Sequence, residues 1–446
     1  MSRTHFVGIA GIGMSAVARV LLARGLEVSG SDSADFPVVA ELRALGATVH
    51  VGYDAAHIRG AATVVVSSAT KADNAELLAA GLAGTRVLHR SVALAELLTG
   101  HRAVAVAGTA GKTTTTAMLI CALQAGGGDP SYAVGGEPMG GAGNGHHGSG
   151  ELFVVEADES DGSFVAYRPH AAIVTNIEPD HLDHYGTAEA YAQAFRDFAA
   201  TVTGFLVVCI DDPGAAALVG TGDVRTYGTS ASADLRLLGL ATDGNGSSFE
   251  AVLRGSSLGR VRLQVAGEHL ARNAAGALLL AVELGLPAAQ AISGLESYAG
   301  VRRRMELKGT AAGVRVYDDY AHHPSKVRAQ LLAARDMAGA GRLVVVFQPH
   351  LYSRTQTFAA AFGEALSLAD EVVVMDVYGA REEPVAGVSG ALVADAVTKP
   401  VLFEPDRSKI PHAVVSRCGP GDLVITLGAG DVTELGPQVL SLLEAS

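Results

Sequence analysis

Apolar and polar positions along the chain fall into blocks that switch between two periods. Short apolar runs bounded by glycine or acidic residues predict buried strands. Between them, apolar residues recur every three to four positions and predict helices. The first strand is expected at His5–Ala10, followed by a glycine turn, a helix from Met14 to Arg24, and strands at Glu27–Gly30, Thr48–Val51 and Thr63–Ser67. A second series comprises Leu152–Ala157, Ala171–Asn176, Phe205–Ile210 and Val224–Tyr227. A third comprises Val314–Asp318, Arg342–Phe347, Glu371–Asp376, Val401–Phe403 and Leu423–Leu427. Strand–helix alternation of this kind predicts parallel sheets with helices on their faces. Three α/β domains are therefore expected, over residues 1–97, 98–299 and 300–446. The length of 446 residues agrees with about 150 per domain.

Composition narrows the class. Apolar residues make up 49% of the chain, ample for burial, yet no uncharged apolar run reaches the ~18 residues that suggest a membrane span. No membrane insertion is expected. The N-terminus enters a strand at once, so no signal peptide is expected either. Cys121, Cys209 and Cys418 are scattered, with neither disulfide nor metal spacing, and read as small apolar side chains in a reduced, cytoplasmic protein. A net charge of −13 argues against nucleic acid as a partner but leaves small anionic ligands open. The Gly-rich segment Gly135–Gly150 reads either as a flexible linker or as a loop covering a ligand.

The chemistry is densest in Ala103–Thr116, where an apolar strand runs into Gly108-Thr-Ala-Gly-Lys-Thr113 and a helix. Two glycines let backbone N–H groups surround a polyphosphate at a helix start. Lys112 supplies a mobile positive charge, and the Thr113 hydroxyl can hold an accompanying magnesium ion. Val106 stands where a full Walker motif has its first glycine, so the loop is a shortened variant. The bland alternative is a glycine turn with a solvated lysine. A bound nucleoside triphosphate is the expectation, and the fold class is accordingly a central P-loop ATPase domain between two Rossmann-like domains.

Two strands of the central domain end in acids, Glu156-Ala-Asp-Glu-Ser-Asp161 and Asn176-Ile-Glu-Pro-Asp-His-Leu-Asp183. Magnesium on a nucleotide needs one or two carboxylates, and Glu156 and His181 are the expected ligands beside Thr113. A zinc site from Asp180, His181, Asp183 and His184 is the alternative, and the remaining acids read as capping or solvated groups. The first glycine turn, Gly8-x-x-Gly11-x-Gly13, inverts the dinucleotide order. With Asp32 about twenty residues on, it is equally open to a dinucleotide, a nucleotide-sugar or plain packing. In the last domain, polar clusters at three strand ends point to a functional edge: Asp318–Pro324, Gln348–Arg354 and Gly428–Asp431.

Taken in order, Gly11-Ile-Gly-Met-Ser15, Gly108–Thr116, Glu156–Asp161, Asn176–Asp183, Arg302-Arg-Arg-Met-Glu306, Asp318-Asp-Tyr-Ala-His-His-Pro324, Phe347-Gln-Pro-His350 and Asp376-Val-Tyr378 resemble the Mur ligases. These are ATP-dependent amide-forming enzymes of bacterial cell-wall precursor synthesis, and the resemblance covers essentially the whole chain. Phe347–His350 and Gly11–Ser15 favour the alanine-adding branch. So does Ala190–Asp197, which lacks the lysine that other branches carry after the His181 motif.

The resemblance implies that L-alanine is joined to the lactyl carboxylate of UDP-N-acetylmuramate through an acyl phosphate, with release of ADP and phosphate. It implies sugar-nucleotide binding by Gly11, Ile12, Gly13, Met14, Ser15, Asp32 and Ser67. ATP falls to Gly108, Thr109, Ala110, Gly111, Lys112, Thr113 and Thr114, with His269 and Asn273 at adenine and Arg304 and Asp319 at the phosphates and ribose. Mg²⁺ would sit on Thr113, Glu156 and His181, and L-alanine on Tyr320, His322, His350 and Arg354. Lys112, Arg304 and His322 are the implied catalytic residues. Two positions depart from the family pattern. Ala110 replaces the usual histidine of the phosphate loop, and Leu351 stands where many relatives have arginine. Rival readings are a sister ligase with another acceptor, an NAD-dependent oxidoreductase, and a nucleotide switch in which Ala110 marks lost catalysis. The sequence is silent on oligomeric state, a homodimer being one expectation.

Overall fold

The computed structural model describes residues 3–140, 143–243, 246–380 and 382–445. It contains three sheets in chain order, the first two in one compact unit and the third in another. The first sheet is parallel throughout, in the order Thr48–Val51, Val28–Asp32, Arg3–Val7, Ala61–Val66, Arg86–His89. Strand order reverses beside Arg3–Val7, which opens a crevice at the carboxyl ends of the strands, where α/β sheets take ligands. The first strand stops at Val7, short of the expected Ala10, because Gly8 turns the chain at φ +80°.

In the second sheet the strand Arg102–Ala107 lies between Ala171–Val174 and Leu152–Glu156, all parallel. Ala103 through Ala107 are buried, as a strand covered on both faces requires. The strand feeds the helix Lys112–Ala125, in which Thr113 through Ile120 are all buried. A helix apolar or buried all round belongs inside a domain rather than on its surface. Its neighbour Ala288–Glu296 approaches closely enough that a Cβ at Gly294 would lie 2.4 Å from the Cys121 carbonyl oxygen. The sheet is extended beyond Val224–Gly228 by Leu235–Asp243, Gly246–Leu253 and Ser256–Leu263, strands the sequence pattern did not announce.

The Gly135–Gly150 segment contains the short strand Gly145–His146, which pairs antiparallel with Ser131–Ala133 just before it. Asn144 Nδ2 donates to the Ile12 carbonyl at 2.6 Å, and a Cβ on Gly145 would meet the Ala16 carbonyl oxygen at 2.3 Å. Its described residues are therefore packed against the first sheet's opening helix, Ile12–Ala23, which is not how a free linker behaves.

The third sheet runs Glu306–Ala311, Val314–Asp319, Leu423–Leu427, Leu343–Phe347, Glu371–Val374, Val401–Phe403. Its first pair is antiparallel and the rest parallel. Apolar clusters cover both faces. The α/β expectation is met in all three sheets.

Candidate active site

The loop between Ala107 and Lys112 is fixed before any ligand arrives. Gly108 (φ +139°) lies so close to Thr175 that a Cβ would stand 2.0 Å from its hydroxyl, and Gly111 (φ +85°) caps the helix in the left-handed region. Only glycine meets both demands. Asn176 donates to the Ala110 carbonyl and accepts from the Ala110 N–H, each at 2.9 Å. Thr109 Oγ1 lies 2.8 Å from the Tyr191 hydroxyl and accepts from the Glu178 N–H. Thr114 is buried in the helix. Residue 110 thus contributes its backbone to the cradle, and alanine suffices for that.

Lys112 Nζ donates to the Gly108 carbonyl at 2.7 Å and lies 2.5 Å from the Glu159 carboxylate. Burial disfavours charge on Lys112, but Glu159, Asp158 and Glu156 outweigh it and raise its pKa. Burial raises the pKa of Glu159 against the opposing pull of Lys112. Glu156 accepts from the Thr113 hydroxyl at 2.9 Å and from the Gly135 N–H at 2.7 Å. Asp158 and Asp161 cap Ser160 and Ser163 as expected, but Glu159 is fully buried rather than solvated. That placement corrects the reading for Glu159 alone, which is enclosed against Lys112 of the phosphate loop.

His181 sits at φ +53° ahead of the short helix Leu182–Tyr185, with Nε2 3.8 Å from Glu159 and 3.7 Å from Asp180. Among the described residues, no three His, Cys, Asp or Glu side chains gather to enclose a metal. The zinc alternative also involves Asp183, whose side chain lies outside the described residues. The Thr113 hydroxyl already joined to the Glu156 carboxylate is the sparse oxygen set that suits Mg²⁺ carried on phosphates, whereas His181 has Glu159 and Asp180 beside it.

The helix Glu268–Glu283 presents His269 and Asn273 four residues apart on one face. The Asn273 amide abuts the phosphate loop, 2.8 Å from where a Gly111 Cβ would stand. Half-buried His269 has an enclosed Nε2 with no hydrogen-bond partner among the described residues, and burial lowers its pKa to about 4. A buried polar atom left open in this way favours a ligand.

In the first sheet, the Ala10 N–H donates to Asp32 at 2.8 Å and the Ser33 N–H to its other oxygen at 2.8 Å. Asp32 therefore closes the glycine turn. Ser15 Oγ donates to the Ile12 carbonyl and accepts from Asn144, Met14 packs in the core, and Ile12 is exposed. The Ser67 N–H is taken by the Thr70 hydroxyl.

In the third sheet, Asp319 is fully buried and accepts from the Met305 and Ala321 N–H groups, each at 2.8 Å. Burial raises its pKa to about 6, opposed by Arg304. Its two oxygens support the turn carrying Arg304, whose guanidinium lies over the Tyr320 ring at 5.2 Å. His322 Nδ1 contacts the Tyr320 carbonyl at 2.8 Å, an arrangement that puts the proton on Nδ1 and leaves Nε2 as an acceptor. Burial, with Lys326 and Arg354 nearby, holds its pKa well below the usual histidine range. His350 meets His322 edge-on at 5.7 Å and stacks on Tyr378. Leu351 is buried at φ +70° and begins the helix that carries Arg354. Of eight non-glycine residues with positive φ among the described residues, His181, Arg303, Met305 and Leu351 fall in these clusters. Such conformations persist only where surrounding structure over-determines them, as at ligand sites.

Sequence reasoning had assigned no role to Glu159, Thr175, Asn176 or Asn144. Asn176 stood inside a motif, but nothing in its spacing announces that it clamps a loop some 66 positions earlier.

Three family profiles match in succession: "Mur ligase family, catalytic domain" at residues 3–102, "Mur ligase middle domain" at 106–281 and "Mur ligase, glutamate ligase domain" at 303–430. The UDP-N-acetylmuramate–L-alanine ligase of Kineococcus radiotolerans is 57% identical, with 99% of this chain and 96% of that protein covered. The ligase of the same name from a Nocardioides species is 53% identical over 100% and 97%. Among solved structures, the UDP-N-acetylmuramate–alanine ligase of Thermotoga maritima superposes over the full length of both chains with a TM-score of 0.87 at 29% identity. A murein peptide ligase from Psychrobacter arcticus gives 0.77 at 25%, over 100% and 99%.

Proposed function

The chain belongs to the Mur ligase family, and from that premise we propose that it joins L-alanine to the lactyl carboxylate of UDP-N-acetylmuramate, with ATP cleaved to ADP and phosphate, in peptidoglycan precursor synthesis. The observation that carries this reading is full-length identity above one half to relatives bearing that name. The higher structural likeness to an alanine ligase than to a murein peptide ligase supports the same branch. We assign the sugar nucleotide to domain 1–97, ATP to 98–299 and the amino acid to 300–446.

A carboxylate and an amine do not condense at neutral pH without activation. A lactyl carboxylate oxygen attacks the γ-phosphorus, the bond to the β-phosphate oxygen breaks, and ADP leaves. The protein's part is positioning and charge neutralisation. The phosphate loop N–H groups and Lys112 hold the β- and γ-phosphates, and Arg304 meets the transferring group. His269 and Asn273 face adenine, an assignment favoured by the open His269 Nε2. Asp319, with both oxygens on backbone N–H groups, serves by holding the Arg304 turn. Thr113, Glu156 and His181 are the residues to hold Mg²⁺, which when bound supplies further neutralisation of phosphate charge.

The alanine nitrogen then attacks the acyl carbon, and the carbon–oxygen bond to phosphate breaks. Tyr320, His350 and Arg354 orient the amino acid. His322 Nε2, kept as an acceptor by the Tyr320 carbonyl on the other ring nitrogen, takes the amine proton.

The test is phosphate release with Mg-ATP, omitting UDP-N-acetylmuramate and L-alanine in turn. Release that needs both, with an alanyl product by mass, is the expected result. Tight ATP binding with no release would overturn the ligase reading in favour of a nucleotide-binding protein.

A further inference from the structure

Resting on the ligase reading, we propose that Arg90 is an acceptor-binding residue, seating an anionic group of the sugar nucleotide between the first glycine turn and the phosphate loop. Arg90 opens the helix Arg90–Leu98 directly after the strand Arg86–His89, at the carboxyl end of the first sheet. Its guanidinium lies against Gly13. A Cβ built there would stand 2.7 Å from Arg90 Nη1 and 2.9 Å from Cδ.

Gly13 lies inside the helix Ile12–Ala23 and is not among the residues with positive φ. Its backbone therefore has no need of glycine, a poor helix former. Room for the Arg90 side chain is what the missing methyl provides. On its other side, Arg90 Nη2 reaches Asp158 at 3.4 Å, a long contact. A guanidinium carries five N–H donors, so one long contact leaves most of its capacity for another acceptor.

Asp158 belongs to the acidic run whose alternate members face different ways. Glu156 meets Thr113, and Glu159 meets Lys112. Asp158 and Asp161 turn instead toward the first sheet, Asp161 accepting from Ser68 at 2.7 Å. The Asp158 carboxylate, turned this way, holds Arg90 in place through the Nη2 contact. Phosphoryl transfer to a carboxylate brings two anions together. Lys112 answers the charge on the nucleotide side, and Arg90 is the cation placed to answer it on the acceptor side.

Removing a charged hydrogen-bond donor lowers affinity by about ten-fold or more. Arg90→Gln is expected to raise the KM for UDP-N-acetylmuramate by at least that factor, with the KM for ATP unchanged and the melting temperature preserved. Arg90→Lys, which keeps the charge, is expected to recover part of the loss and covers the case in which the glutamine variant fails to fold. Gly13→Ala should reproduce the defect by pushing the guanidinium aside, and should add little in the Arg90→Gln background.

Competition by UDP-N-acetylglucosamine separates the two anion sources, because it has the diphosphate but no lactyl carboxylate. Weakening of both sugar nucleotides assigns Arg90 to the diphosphate; weakening of UDP-N-acetylmuramate alone assigns it to the carboxylate. An unchanged KM for UDP-N-acetylmuramate, or an equal rise in the KM for ATP, overturns the proposal. If the unaltered protein releases no phosphate with both acceptors present, the ligase reading fails instead.

Discussion

Asn176 grips both backbone polar groups of Ala110: its amide oxygen takes the Ala110 N–H and its amide nitrogen donates to the Ala110 carbonyl, each at 2.9 Å. The phosphate loop is shaped by this clamp, by the Thr175 hydroxyl and by its glycines, with no help from the side chain at 110. Asn176→Ala leaves the Ala110 N–H unpaired, while the Ala110 carbonyl keeps the Thr175 hydroxyl, at about 1–3 kcal/mol. ATP affinity is expected to fall about ten-fold or more in that variant, since 1.4 kcal/mol is a factor of ten. Ala110→His should leave ATP affinity as it was. Equilibrium binding of an ATP analogue measures both, and a large loss on Ala110→His would show that the side chain governs the loop.

His269 offers a second reading of nucleotide affinity. Its pKa of about 4 keeps the ring neutral throughout the working range, and its Nε2 is enclosed with no hydrogen-bond partner among the described residues. His269→Leu keeps the bulk and removes the polar atom. If Nε2 meets adenine, the variant binds ATP about ten-fold more weakly, the size of one buried hydrogen bond, with kcat little altered. Unchanged ATP affinity would return His269 to a packing role.

The outlines of the fold were legible because buried strands in α/β sheets are nearly continuous apolar runs, and Ala103–Ala107, Ala171–Val174 and Leu423–Leu427 are such runs. Strands Leu235–Asp243, Gly246–Leu253 and Ser256–Leu263 were not, because their outer faces are half-exposed and mix polar with apolar residues. The phosphate loop was legible for a local reason: its glycines and Lys112 are contiguous. Asn176, Glu159 and Arg90 act on that region across long sequence separations, through contacts that only the sheet order creates. A resemblance to a family named the motifs, but not which acid in Glu156–Asp161 faces which loop.

Asp319 makes stability depend on pH in an unusual direction. Its folded pKa of about 6 lies above the unfolded value of about 3.9, so the folded chain holds the proton longer. The folded state then binds more protons between the two values, and stability falls as pH rises from about 4 to about 6. With roughly two pKa units at 1.36 kcal/mol each, the change is on the order of 2–3 kcal/mol. Asp319→Asn removes that term while sacrificing one of the two backbone contacts. Melting curves of both proteins at pH 4.5 and 7 are expected to differ in slope, the unaltered chain losing more stability toward pH 7. Parallel curves would mean that Asp319 is charged throughout.

His322→Gln addresses proton removal from the amine. General-base groups contribute about 10²–10⁴ in rate, so kcat is expected to fall by at least the lower figure with ATP affinity intact. A glutamine variant with undiminished kcat at saturating L-alanine would leave His322 as a structural ring beside Tyr320.

Gly135 bears on the metal through a contact rather than through ligation. Its N–H donates to Glu156, and a Cβ there would stand 2.7 Å from Glu156 Oε2 and 2.9 Å from Oε1. Gly135→Ala must therefore push the Glu156 carboxylate, which also accepts from Thr113, out of its place. If Glu156 and Thr113 hold Mg²⁺, this single methyl raises the Mg²⁺ concentration needed for half-maximal activity, by about ten-fold for each 1.4 kcal/mol lost. A second readout avoids turnover altogether: the gain in melting temperature from ADP should remain, and the additional gain from Mg²⁺ should shrink, because only ligands bound to the folded state stabilise it. Equal protection by Mg²⁺ in both proteins would mean that the ion does not use Glu156, and the ligand set would have to be sought among Asp180 and His181 instead.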